Sequence, residues 1–99
     1  MDDGDDDPVV KEGDVPSFRV VQETIKTIDN AIIIFRIYYF FSTRIFRFQL
    51  IKKDKMCMVE IARNLLESLN TDGTSAEQEL SKILNLKIED EECWQDIQG

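Results

Sequence analysis

Between Ala31 and Ile51 the chain reads AIIIFRIYYFFSTRIFRFQLI. Isoleucine and aromatic side chains at this density need cover, from the rest of the chain, from a partner or from lipid. With 99 residues in all, the chain can build one small core and has little stability to spare. The stretch therefore limits both the fold and the function.

Lipid is one form of cover. A transmembrane helix needs about 20 mostly apolar residues. Arg36 and Arg44 interrupt the run, and each arginine near mid-span costs roughly 2.5–3.5 kcal/mol. Membrane association through residues 31–51, interfacial or spanning, is carried as an alternative to burial in protein.

The local pattern of the stretch admits two readings. A helical stripe that starts at Phe18, Val21, Ile25, Ile28 and Ile32 continues through Phe35 and Tyr39, which favours one long helix. Ile32–Ile34 and Tyr38–Phe41 are β-branched and aromatic, and Phe46, Phe48 and Leu50 alternate with Arg47 and Gln49. Those features favour a β-hairpin of 32–41 and 45–51, although its turn, Ser42-Thr43-Arg44, lacks glycine or asparagine. The continuing helix is placed first.

The flanks read as helical. Ser17 resembles an N-cap for a helix over 18–30. Lys52–Lys55 is a polar break. Met58, Ile61, Leu65 and Leu69 predict an amphipathic helix over 56–70, which the run Asn70-Thr71-Asp72-Gly73 ends. Ser75, with Glu77 and Gln78 following, begins another helix that carries Leu80, Ile83, Leu84 and Leu86. The short connection makes 56–86 an antiparallel αα-hairpin, with Ile61, Leu65, Leu69, Leu80, Ile83 and Leu84 in the core. The expected fold is mainly α: a disordered acidic segment over 1–16, a single small helical domain over 17–86, and an acidic tail over 87–99.

Charge alternates along the chain. Residues 1–30 hold nine acidic and three basic side chains, 31–55 one and six, and 56–99 ten and three. The acidic ends solvate the chain and offset the basic middle. Nucleic acid is disfavoured as a partner, because most of the chain repels phosphate, although Arg36, Arg44 and Arg47 interleave with stacking aromatics. Residues 32–55 also contain no Gly, Pro, Ala, Val or Glu, a shift that would fit an inserted or newly translated segment.

Catalytic patterns are sparse. The chain has no histidine, so Ser-His-Asp and Cys-His arrangements and His-ligated zinc do not arise. Its four glycines are scattered and form no phosphate-binding loop. No enzymatic activity, cofactor or metal is expected. Ser68–Glu79 aligns with a twelve-residue calcium loop through Asn70, Asp72, Gly73 and Glu79, but Ser68 and Ser75 depart from the loop's pattern. A degenerate calcium site at 68–79 is therefore a further alternative. Cys57 and Cys93 share no metal-like spacing. With no basic leader in view, a reduced, intracellular, cytoplasmic setting is expected.

What remains is an interaction module. Surplus apolar surface on a small chain marks association. The expected function is a non-enzymatic subunit or adaptor that self-associates or docks on a protein partner. Its expected binding face is Ile32, Phe35, Tyr39, Phe46, Phe48 and Leu50.

Overall fold

The computed structural model describes residues 9–71 and 73–97. After a 3₁₀ turn at Glu12–Asp14 come α1 (Phe18–Ile28), β1 (Ile33–Phe40), β2 (Ile45–Lys52) and β3 (Lys55–Ala62). Then follow α2 (Arg63–Ser68), α3 (Gly73–Ile88) and β4 (Gln95–Asp96). The four strands form one antiparallel sheet in chain order. The mainly α expectation is thus corrected to an α/β fold.

The first helix ends where the strand reading requires. Asp29 caps α1, and its Oδ1 accepts the Ala31 N–H at 3.0 Å, a local bond that turns the chain out of helix. Its other carboxylate oxygen pairs with the Lys52 ammonium at the far end of β2. Chiefly through Lys52, and then through the Ala31 N–H, the Asp29 carboxyl is held below the usual aspartate range. Released from the helix, Ile33–Phe40 adopts the extended form its β-branched and aromatic residues prefer.

The hairpin turns are made without glycine. Between β1 and β2 the Arg44 N–H donates to the Phe40 carbonyl at 2.7 Å, and Arg44 takes the left-handed backbone, φ 57°. Between β2 and β3 only Lys53 and Asp54 intervene, with Lys53 at φ 60°. Non-glycine residues in this region cost about 1 kcal/mol or more each. From these turns the register runs from Phe40↔Ile45 to Arg36↔Gln49 between β1 and β2, and from Lys52↔Lys55 to Ile45↔Ala62 between β2 and β3.

The segment expected to be a helix from Met56 is a strand as far as Ala62. Cys57, Val59 and Ile61 are buried at alternate positions against Leu50, Phe48 and Phe46 of β2. Ile61 belongs to both the helical stripe and this alternation, so the two periods compete over the same residues. The αα-hairpin survives only as α2 and α3. In α3, Ala76, Leu80, Leu84 and Ile88 are buried at four-residue spacing.

The helices cover one face of the sheet. Val21 and Ile25 of α1, Leu66 of α2 and the α3 stripe join the inward strand residues in a single core. The ordered unit also reaches past the expected 17–86. Val9 bridges to Tyr38, the Val10 N–H donates to the Ile37 carbonyl at 2.9 Å, and Val15 is buried. Of the segment expected to be disordered, 1–16, residues 1–8 lie outside the described residues. After α3, Trp94 packs on the core and Cys93 is disulfide-bonded to Cys57. That bond corrects the reading of two separate reduced cysteines; the fold brings together residues 36 positions apart.

Candidate functional site

Of the six residues expected to form a binding face, five lie in the chain's own core. Ile32, Phe48 and Leu50 are fully buried, and Tyr39 and Phe46 nearly so. Tyr39 and Phe46 rings pack at 4.5 Å between centroids. The Tyr39 hydroxyl accepts from Arg63 at 3.2 Å, and with Glu67 this contact holds the Arg63 guanidinium still more firmly protonated. Phe35 alone is at the surface, 52% exposed. It is the extra residue of a bulge where the β1–β2 register shifts between Ile34 and Arg36.

The period of two places a second set of residues on the opposite face. The row Tyr38–Arg47–Glu60 crosses β1, β2 and β3 between the buried rows Ile37–Phe48–Val59 and Tyr39–Phe46–Ile61. On one side lie Arg36–Gln49–Met58 and Ile33–Ile51–Met56, and on the other Phe40–Ile45–Ala62. None of these residues belongs to the core cluster. Antiparallel sheets with one free face normally make that face polar. Here it carries Ile33, Tyr38, Phe40, Ile45, Ile51, Met56 and Met58, with Phe35 and Phe41 at its margins.

The polar groups on this face are held in place. Arg47 donates from Nε and Nη2 to one Glu60 oxygen at 3.0 and 2.8 Å, while its guanidinium lies 4.7 Å from the Phe40 ring centroid. Gln49 meets both the Tyr38 hydroxyl, at 3.5 Å, and the Met56 sulfur. Arg36 lies over the Phe35 ring at 5.2 Å. Charge is segregated as well: residues 33–62 hold six basic and two acidic side chains, against six and eighteen elsewhere.

The other expectations also take physical form. Residues 31–51 form two strands and their turn, and among the described residues no helix is long and apolar enough to cross a membrane. The helical and membrane-helix readings of this stretch are corrected accordingly. Of the calcium-loop residues, Gly73–Glu79 form the first turns of α3, and the Asn70 side chain accepts the Ser17 hydroxyl at 2.9 Å. Among the described residues no three acidic or cysteine side chains converge on a metal position. A cleft near the β2–β3 turn is lined by Lys52, Lys53, Asp54, Lys55, Ile88, Glu91 and Trp94, with charges of both signs.

No family model matches this chain, and no curated protein and no solved structure matches it. The functional reading rests on the geometry of the open sheet face.

Proposed function

We propose that this chain is a non-enzymatic protein-binding module whose docking surface is the open face of the sheet, and that the surface docks on a second copy of itself. The observation that carries the reading is the apolar character of the outward residues, Tyr38, Phe40, Ile45, Ile51, Met56 and Met58, on the face the helices leave uncovered.

A flat sheet face fits another sheet face, packed about 10 Å away with strands aligned within about 30°. The central row is self-complementary. Arg47 and Glu60 are neighbours in it, so a two-fold axis parallel to the strands and midway between β2 and β3 sets each copy's Arg47 opposite the other's Glu60. This supports an isologous pair over a one-signed partner.

Size sets the strength. Each of the three strands has eight residues, giving a face about 27 Å long and about 14 Å wide. Its plan area, about 400 Å² before side-chain relief, falls below the ~800 Å² per partner of stable complexes. The pair should therefore be weak, with Kd on the order of 10 µM or above. The net charge of −8 on each copy opposes the encounter, so salt should tighten the pair. A polyanion bound to the basic strands would instead be released by salt.

Sedimentation equilibrium across about 5 to 500 µM tests this. The expected mass rises from 11.5 kDa towards twice that value, more readily in high salt, while Phe40→Asp and Met58→Asp stay monomeric. A wild-type mass fixed at the monomer value throughout would overturn the reading.

A further inference from the structure

We propose that the Cys57–Cys93 disulfide is a redox-operated clasp that decides whether the segment after α3 completes the sheet. The inference is independent of the docking face.

The segment is held by little else. β4 contributes only the pairs Lys55↔Asp96 and Met56↔Gln95, and the Ile97 N–H donates to the Asp54 carbonyl at 3.0 Å. So short a strand does not hold itself on a sheet. The run Glu89-Asp90-Glu91-Glu92 that leads into it is uniformly acidic and repels itself. Against this stand two anchors, the disulfide and Trp94. The Trp94 indole packs on the core and its Nε1–H donates to the Ile88 carbonyl at 2.8 Å. The remaining body of the fold, α1 to α3 with β1 to β3, has a core built chiefly from its own residues, and Cys57 of β3 is its end of the clasp.

The two sulfurs differ in access. Cys57 is buried on the inner face of β3, 1% exposed, whereas Cys93 is partly exposed in the segment itself. A dithiol reductant therefore reaches Cys93 first. Its thiolate attacks Cys93 Sγ, the S–S bond breaks, and Cys57 leaves as a thiolate that takes up a proton. The reductant's second thiol then displaces Cys93 from the mixed disulfide. The balance is one protein disulfide and one dithiol giving two protein thiols and one oxidised reductant. Freed of its bond, the segment leaves β3 and exposes that strand's edge at Lys55 and Met56 together with Ile88.

Trp94 is the only tryptophan and reports the event directly. On adding dithiothreitol to the oxidised chain, Trp94 emission should shift to the red. Exchange of the Ile97 amide should quicken by roughly a hundredfold, while the Phe48 amide in β2 stays protected. Cys93→Ser should match the reduced chain and ignore the reagent. Three results would overturn the clasp: emission and exchange unchanged on reduction, protection lost across the whole sheet, or two free thiols persisting after treatment with oxidised glutathione.

Discussion

On the inner face of the sheet Phe48 sits fully buried between Ile37 and Val59; one residue earlier, on the outer face, Arg47 sits between Tyr38 and Glu60. Both faces are built from alternate residues of the same three strands, and both are largely apolar. The inner one is covered by α1, α2 and α3, and the outer one by nothing within the described residues. The lesson is that apolar character and burial are separate properties. A helix layer decides which alternate set becomes core, and the set left over becomes a surface able to bind.

The largest test of this contrast is truncation on each side. Phe48→Ala should cost about 3–5 kcal/mol, because it opens a cavity in a fully packed site. Phe40→Ala, on the outer face, should cost the monomer under about 1 kcal/mol, since it forfeits mainly the contact with Arg47. Denaturant titration of both variants at low concentration measures the difference. Equal losses would mean that the two faces are equally committed to the monomer's core.

A smaller effect sharpens the account of the sheet itself. Arg44 and Lys53 hold left-handed backbone in the two hairpin turns. Arg44→Gly and Lys53→Gly should each stabilise the chain by about 0.5–1 kcal/mol, net of the entropy glycine adds to the unfolded state. Thermal unfolding reads this gain, and a loss at both positions would show that the turns are not the strained points of the hairpins.

Much of this architecture is visible in the residues. The stripe Phe18, Val21, Ile25 and Ile28 predicts α1, and Leu80 with Leu84 predicts α3. The alternation at Phe46, Phe48 and Leu50 carries the hairpin that forms, but the helical stripe running on through Ile32 and Phe35 outranks it. What tips the balance is Asp29, whose carboxylate bonds Ala31 and pairs with Lys52, 23 residues away. Half of that device is long-range and has no local signal. β3 is obscured because Ile61 satisfies both a helical and a strand period, and only pairing with Phe46 selects the strand. The binding face is obscured for a related reason. With both alternate sets apolar, periodicity separates the faces but not the one the helices take; in the fold the helices cover the set with Tyr39, Phe46, Phe48 and Leu50.

The most direct test is oxidative footprinting of Met56 and Met58, which lie on the outer face of β3 on either side of buried Cys57. Both should be oxidised readily in dilute solution and become protected as concentration rises through the association range, with the protection abolished by Phe40→Asp. Oxidation that proceeds at one rate at every concentration would contradict the claim that this face is covered by a second copy of the chain.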